Sequence, residues 1–305
     1  MSAVNIPVEQ LRLDREVIEA VGPDTERFLQ GQLSQDVVAL AVGASTYSLL
    51  LAPQGKVDAL LRITRTAEDR YLLDVDAGWG EAVLSRLGRF KLRTKCQLTL
   101  LEGWTCWAVR GGVGASLPEP EGAEIVADAC WPVLTGFDRL GPDVSPQSSL
   151  PVVDTARYDE WRVAAGVPAM GAELDEHTIP AEAGRWLIEH AVSFTKGCYT
   201  GQELVARIDS RGSNTPRRLR RLVVTGPSDP AVPDGMVLDG MVLDGMVRGA
   251  AVHAEGAEPG GDVGAVTTVG AGGRWALAYC KRAVEPGATV RVGAVSVRVE
   301  ELPAG

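Results

Sequence analysis

The sequence predicts an α+β protein with two α+β halves of the ferredoxin-like type and a C-terminal antiparallel β-barrel. Three observations lead to this fold class. Residues 1–110 show strand and helix patterns in the order β-α-β-β-α-β with one extra strand, residues 111–216 show a second set of strands and helices, and residues 217–305 show only short β-rich runs. We therefore predict three domains with these bounds.

Residues 1–110 alternate between strand and helix patterns. Strand-like runs cover residues 15–21, 47–52, 56–64, 71–75 and 96–101. A helix is predicted to follow Gly22, Pro23 and Asp24, because proline fits the first turn of a helix. The second predicted helix carries apolar residues at helical spacing, namely Trp79, Val83, Leu87 and Phe90. This order of elements is the split βαβ, or ferredoxin-like, arrangement.

Residues 111–216 predict a second α+β half. Residues 111–124 are rich in Gly and Pro and predict a loop, whereas residues 130–137 predict a strand. Asp154 fits the N-cap of a helix that carries Tyr158 and Trp161 and stops at Gly166. A second short helix carries Trp186 and leads into residues 196–203.

The sequence changes character after Pro216. β-rich runs cover residues 219–225, 265–269, 275–279, 289–292 and 295–299, and Gly and Pro separate them. Short runs of this kind predict a small antiparallel barrel.

A tandem repeat lies between the first and second of these runs. Residues 236–240 read Met-Val-Leu-Asp-Gly, and residues 241–245 repeat them. We interpret the repeat as an inserted surface loop, because doubling the length of a loop costs only roughly 0.6 kcal/mol. A Met-lined surface for a partner is the alternative.

The composition describes an acidic chain with a large apolar fraction. The 305 residues carry a net charge of −10, and 45% of them are hydrophobic, which suffices for a folded core. The acidic balance argues against general nucleic-acid binding. No apolar run approaches the roughly 20 residues of a membrane-spanning helix, and no leader-like segment is evident. We therefore expect a cytoplasmic protein without a membrane partner.

The cysteines lie far apart in the sequence, at Cys96, Cys106, Cys130, Cys198 and Cys280. Their odd number and wide spacing fit reduced thiols rather than a disulfide framework or a zinc site. A resident iron–sulfur cluster usually requires four cysteines in a recognisable spacing. We therefore expect no tightly bound metal ion or cluster.

Two basic clusters interrupt the acidic sequence. The first comprises Arg86, Arg89, Lys91, Arg93 and Lys95. The second comprises Arg207, Arg211, Arg217, Arg218, Arg220 and Arg221. Each cluster is either a solvated face that balances nearby acids or an anion site, for which the planar guanidinium group is well suited.

Residues 196–203 read Lys-Gly-Cys-Tyr-Thr-Gly-Gln-Glu. Thr200 and Glu203 have the spacing of a capping box, which predicts a helix that begins at Gly201. Cys198 would then precede a helix N-terminus, and both that end and the Lys196 ammonium favour the thiolate form of the cysteine. Gly197 and Gly201 allow the backbone to turn and a ligand to approach. The alternative is an inert, buried cysteine.

The same residues, followed by Leu204, Val205, Ala206 and Arg207, resemble the signature of the YgfZ family of folate-binding proteins. That family is related to the glycine-cleavage T protein, an aminomethyltransferase that uses tetrahydrofolate. Its members are implicated in the assembly or repair of iron–sulfur proteins. Residues 264–268 and 276–279 also resemble the C-terminal barrel of the T protein. The resemblance covers nearly the whole chain and implies a T-protein-like fold.

The resemblance implies a tetrahydrofolate site and a catalytic group at Cys198, with Lys196 and Glu203 beside it. The candidate folate contacts are Asp58, Tyr158, Trp186, Gly197, Tyr199, Gly201, Gln202 and Arg207. The second basic cluster is a candidate site for the glutamate tail of folate. The implied partners are folate and iron–sulfur client or assembly proteins, with a link to tRNA modification.

Two positions depart from the T-protein pattern. An acidic pair after a glycine turn is reduced to Asp58, and a pterin-contacting Glu-Ala-Gly reads Ala164, Ala165, Gly166. A carboxylate near N10 of folate could relay a proton, so half of a pair weakens the case for aminomethyl transfer. We therefore expect a folate-linked accessory role in iron–sulfur protein maturation or repair. The alternatives are a tetrahydrofolate-dependent aminomethyltransferase and a non-catalytic module that binds folate or a partner.

Overall fold

The computed structural model describes residues 6–210, 212, 214–224, 245–256 and 261–303. The strands, in chain order, are β1 (Glu9–Leu13), β2 (Arg15–Val21), β3 (Ser45–Leu51), β4 (Val57–Ala67), β5 (Arg70–Asp76), β6 (Gln97–Leu101), β7 (Trp104–Gly112), β8 (Ile125–Asp128), β9 (Leu134–Pro142), β10 (Arg217–Val224), β11 (Ala251–Ala254), β12 (Asp262–Val269), β13 (Trp275–Lys281), β14 (Thr289–Val292) and β15 (Val295–Glu300). The α-helices are α1 (Thr25–Gln32), α2 (Gly80–Arg89), α3 (Ala156–Ala165), α4 (Arg185–Ala191) and α5 (Gln202–Ser210). None of these helices has both the length and the apolar character needed to cross a membrane. The tandem repeat lies outside the described residues, apart from Gly245.

A five-stranded antiparallel sheet contains most of the predicted first half. Its strand order is β3-β4-β5-β2-β6, and helices α1 and α2 connect its strands as predicted. Val83 and Leu87 of α2 are buried, as their helical spacing requires. Phe90, which the sequence places on the same buried stripe, follows the end of α2 and is 45% exposed. That part of the prediction is wrong, because the helix ends at Arg89.

A second, four-stranded antiparallel sheet has the order β1-β7-β9-β8. Strand β7 lies at its centre, between β1 and β9. Because β1 and most of β7 precede residue 111, this sheet combines strands from both predicted halves. The predicted bounds at residues 110 and 216 therefore divide the chain into segments that do not each form a sheet of their own. As domain bounds they stay a prediction.

The C-terminal strands form a closed antiparallel barrel in the order β10-β13-β12-β11-β14-β15. Pairing of Leu222 on β10 with Val299 on β15 closes it, so no strand edge is left exposed. Valine side chains such as Val252, Val266 and Val292 fill its interior. The predicted α+β fold with a C-terminal antiparallel barrel is confirmed. Strand β11, which contains a histidine and only four residues, is absent from the sequence prediction.

A buried ion-pair network joins the two sheets. Arg62 on β4 donates to Asp74 on β5 at 3.0 Å and to Asp138 on β9 at 2.7 Å. Arg110 on β7 donates to the other oxygen of Asp138 at 2.7 Å. Burial would raise the pKa of Asp138, but the Arg110 and Arg62 guanidinium groups hold that pKa well below its usual range. Each charge has an opposite partner, which allows the network to remain buried between the sheets.

Candidate functional site

A cavity of about 600 Å³ lies where the two sheets, helix α3 and the barrel meet. Its wall includes Arg15 on β2, Asp76 at the end of β5, Tyr158 on α3 and Thr268 on β12. Glu173 holds the barrel to this wall, because its carboxylate accepts hydrogen bonds from the Arg162 guanidinium at 2.9 Å and the Thr268 hydroxyl at 2.5 Å. Small-molecule sites typically have volumes of about 300–1,000 Å³.

A smaller chamber of about 30 Å³ adjoins the cavity. Arg15, Asp76, Tyr158 and Ala169 line both spaces. The chamber has aromatic walls, which are Tyr47, Trp131, Tyr158 and Trp186. The ring centroids of Trp131 and Tyr158 are 5.6 Å apart, and those of Tyr47 and Trp186 are 5.1 Å apart. The inner end of the cavity is therefore walled by packed aromatic rings.

The structure places two of the predicted folate contacts in this wall. Burial, followed by the Asp76 carboxylate, raises the pKa of the Tyr158 phenol above its usual range. The Tyr158 hydroxyl forms no hydrogen bond within the described parts of the chain, so it can donate to a ligand. The indole nitrogen of Trp186 instead donates to the Cys130 carbonyl at 2.6 Å, which fixes that ring.

The cysteine loop, residues 196–201, lies elsewhere on the molecule. It packs against the C-terminal end of α1 and the turn between β3 and β4. A Cβ atom at Gly201, whose φ is +83°, would lie 2.6 Å from the Ala52 carbonyl oxygen, so this position requires glycine. The Cys198 thiol is exposed. No residue of the loop belongs to the lining of the cavity or of the chamber.

Lys196 anchors the cysteine loop to helix α1. Its side chain is 8% exposed, and its ammonium donates to the carbonyls of Gln30 at 2.7 Å, Leu33 at 2.6 Å and Gln35 at 3.0 Å. Carbonyls at a helix end have no partner within the helix, and the ammonium satisfies them here. Burial lowers the pKa of Lys196 to about 8, against the opposing effect of the Asp36 carboxylate. The ammonium makes no hydrogen bond to Cys198.

The predicted capping box is not formed. Helix α5 begins at Gln202, and the Thr200 amide donates to the Gly31 carbonyl at 3.2 Å rather than to Glu203. No hydrogen bond joins Thr200 to Glu203 in either direction. The long-range contact with α1 and the positive φ of Gly201 have displaced the local cap. Tertiary contacts therefore hold the cysteine loop.

Asp58 lies outside the lining of the cavity. Its carboxylate accepts from the Arg86 guanidinium at 2.9 Å, and Arg86 also donates to the Leu51 carbonyl at 3.0 Å. Ala164 stands where the T-protein pattern has a glutamate, and both Ala164 and the following Ala165 are fully buried. The folate-binding roles of Asp58, Gly197, Tyr199, Gly201, Gln202 and Arg207 stay predictions, as do the catalytic roles of Lys196, Cys198 and Glu203.

The second basic cluster is largely engaged in ion pairs. Arg217 binds Glu182 at 2.9 Å, Arg221 binds Glu300 at 2.8 Å, and Arg220 binds Glu301 at 2.5 Å. Arg207 is exposed on α5, and Arg211 lies outside the described residues. These contacts favour the interpretation of the cluster as a set of balanced charges around β10.

Sequence reasoning missed several residues around the cavity, namely Arg15, Tyr47, Arg62, Asp76, Trp131 and Asp138. A signal for part of this set was present. Arg62 and Asp138 each stand inside a strand whose neighbours are mostly buried, and a charge at such a position requires a partner.

Comparison with known proteins decides the family. No family model matches the chain. The chain is 32% identical to an uncharacterized protein of Haemophilus influenzae over 206 residues. This match covers 65% of this chain and 68% of that protein. It is also 30% identical to the tRNA-modifying protein YgfZ of Vibrio vulnificus over 239 residues. This match covers 72% of this chain and 70% of that protein. The chain belongs to the YgfZ family.

Two further comparisons place this YgfZ-family protein in context. It is 31% identical over 215 residues to the mitochondrial iron–sulfur cluster assembly factor IBA57 homolog of Pyricularia oryzae, over 65% of this chain. The matched part of the chain spans about half of that relative's length, namely 53%. The crystal structure of glycine cleavage system aminomethyltransferase T from Bartonella henselae matches 99% of this chain and 87% of that chain, with a TM-score of 0.71 and 21% identity. This match confirms the T-protein-like fold.

We predict that Lys196→Met destabilises the protein by about 3 kcal/mol, because one buried and two partly buried carbonyls lose a charged donor. Urea unfolding measures the effect. Lys56→Met is the matched control, since the half-buried Lys56 side chain has no hydrogen-bond partner among the described residues and its loss should cost within about 0.5 kcal/mol. Equal unfolding midpoints for the two variants would show that the ammonium does not cap α1.

Proposed function

We propose that this protein binds a tetrahydrofolate species in its central cavity and presents Cys198 to a partner protein during the assembly or repair of iron–sulfur proteins. The observation that carries the proposal is an exposed thiol on a loop whose neighbours are anchored. Lys196 binds three carbonyls, Thr200 binds Gly31, and Gly201 packs on Ala52. Relatives named as an iron–sulfur cluster assembly factor and as a tRNA-modifying protein support the same role.

The cavity suits tetrahydrofolate by its size and by the chemistry of its lining. A pterin is a flat ring with polar edges, and the wall supplies aromatic faces together with the Tyr158 hydroxyl and the Asp76 carboxylate. Arg12 and Arg248 also line the cavity and are exposed, and Arg12 has no ion-pair partner among the described residues. These two cations suit the carboxylates of a glutamate tail.

Each group has a defined part in this proposal. Tyr158 supplies an aromatic wall for the pterin, Asp76 supplies a carboxylate for its polar edge, and Arg12 attracts the tail. Trp131 packs against Tyr158 and supports that wall. Bound tetrahydrofolate supplies a carrier for a one-carbon group. The thiol lies outside the cavity lining, so ligand binding and thiol chemistry use separate surfaces of one protein.

Cys198 is suited to work on another protein. A thiolate is the nucleophile of thiol exchange and the usual ligand of iron–sulfur clusters. Clusters usually take four cysteine ligands, and no group of three or more His, Cys, Asp or Glu side chains that could hold a metal ion occurs in the described residues. The remaining ligands of a cluster that reaches Cys198 would therefore come from the partner.

The aminomethyltransferase alternative is less well supported. In the T-protein pattern Asp58 is the carboxylate that would relay a proton at N10, whereas here Asp58 is paired with Arg86 away from the cavity lining. The non-catalytic alternative shares the cavity with our proposal and differs only in leaving Cys198 without a role. Substitution of Cys198 therefore separates these two.

We predict that tetrahydrofolate stabilises the protein, by about 2.7 kcal/mol at 100 times its Kd. Tyr158→Ala should weaken binding about tenfold or more, because the stacking face and the hydroxyl are lost together. Tyr158→Phe is the matched variant and should keep most of the affinity. Calorimetric titration of the three proteins gives the result. Wild-type affinity in Tyr158→Ala, or no binding by the wild type, would contradict the site.

We predict that Cys198→Ser folds normally and fails to restore iron–sulfur enzyme activity in cells that lack the protein. The hydroxyl keeps the size of the side chain and removes the thiolate. Cys130→Ser is the matched control, because Cys130 is the other exposed cysteine. Restoration of activity by Cys198→Ser to the level of Cys130→Ser would leave Cys198 without a chemical role.

A further inference from the structure

The segment after α2 combines positive charge with exposed apolar side chains. We call residues 89–95 the basic loop; its residues are Arg89, Phe90, Lys91, Leu92, Arg93, Thr94 and Lys95. Phe90 is 45% exposed and Leu92 is 84% exposed, the highest value among the exposed large apolar side chains of the described residues. Exposed apolar side chains set among charges are typical of interaction sites.

The cations of the basic loop have no ion-pair partners within the described parts of the chain. This holds for Arg89, Lys91, Arg93 and Lys95. Arginines of the adjacent sheet differ in this respect, because Arg62, Arg65 and Arg70 each bind a carboxylate. The basic loop is therefore a local positive surface on a chain whose net charge is −10.

Hydrogen bonds and a cation–π contact hold the basic loop in place. The Lys95 amide donates to the Asp24 carboxylate at 2.8 Å, and the Asp24 amide donates to the Lys95 carbonyl at 3.2 Å. The Thr94 amide donates to the Lys91 carbonyl at 3.3 Å. The Arg86 guanidinium lies 4.2 Å from the centroid of the Phe90 ring. The apolar side chains are thus held exposed by an ordered backbone.

The basic loop neighbours the cysteine loop through a short series of contacts. Phe90 packs under the Arg86 guanidinium, and Arg86 donates to the Leu51 carbonyl. Leu51 and Ala52 contact Gly201, the last residue of the cysteine loop. These contacts link the basic loop to the end of the cysteine loop through the buried Leu51.

We propose that the basic loop docks an acidic protein and holds it next to Cys198. The four cations fit carboxylates of the partner, and Phe90 with Leu92 fit an apolar pocket between them. RNA fits less well, because base stacking needs free aromatic faces, Leu92 has none, and Arg86 covers one face of Phe90. The choice of a protein over an anionic lipid surface rests on the proposed function, in which Cys198 acts on a protein.

The experiment measures binding of the full chain to three fluorescent or sedimentable probes: a peptide of glutamates with leucine at every fourth position, an oligouridine, and phosphatidylserine vesicles. We expect the peptide to bind in a salt-sensitive manner. The double variant Phe90→Ser with Leu92→Ser should weaken peptide binding about tenfold, as should Lys91→Glu with Arg93→Glu. Val113→Ser is the matched control, because Val113 is 75% exposed and follows β7, outside the basic loop.

Equal peptide binding by the double variants and by Val113→Ser would overturn the proposal. The proposal would also be overturned if Phe90→Ser with Leu92→Ser weakened binding of oligouridine or of the vesicles but left peptide binding unchanged. Tetrahydrofolate titration and Cys198 alkylation are measured on the same variants and should be unchanged. If the wild type binds no folate but the peptide result holds, the proposed function fails and the docking surface stands.

Discussion

The two sheets are held together by one buried carboxylate between two guanidinium groups. Asp138 on β9 binds Arg62 from the first sheet and Arg110 from its own sheet, and only 5% of its surface is exposed. Removal of this carboxylate would leave the buried Arg110 without a carboxylate partner and Arg62 with Asp74 alone, and breaking a buried pair in this way typically costs about 3–5 kcal/mol. The network fixes the distance between the sheets, and the aromatic chamber and the cavity occupy the space beside it. Two members of the network, Arg62 and Asp138, also line the chamber, so the charge network forms part of the wall of the candidate site.

The cavity and the cysteine loop are separate surfaces, and helix α4 connects them. Trp186, near the start of α4, lines the chamber. At the other end, the carbonyls of His190 and Ala191 accept hydrogen bonds from Gln35 at 3.0 Å and Ser34 at 2.5 Å. The Gln35 carbonyl in turn accepts from Lys196. One rigid helix thus sets the position of the cysteine loop relative to the chamber, and Lys196 serves this arrangement as a helix cap.

Local patterns in the sequence are enough to predict most of the fold. Strand β2 has the predicted bounds of residues 15–21, and β14 has those of residues 289–292, because alternating or continuous apolar runs define them. The cysteine loop is recognisable from its residues, whereas its placement is not. Its contacts with Gly31 and Ala52 join residues far apart in sequence, and they displace the capping box that the local sequence favours. In the charge network, the need of Arg62 for a partner can be read from its strand, but the partner's identity cannot, because Arg62 and Asp138 are far apart in sequence.

The central claim is that Cys198 works outside the ligand cavity. Its most direct test follows alkylation of Cys198 by iodoacetamide, with and without saturating tetrahydrofolate, by mass spectrometry of the peptide that contains it. We predict that tetrahydrofolate leaves the rate at Cys198 unchanged, because neither the thiol nor its loop lines the cavity. Protection of Cys198 by tetrahydrofolate would place the thiol in the folate site and contradict this claim.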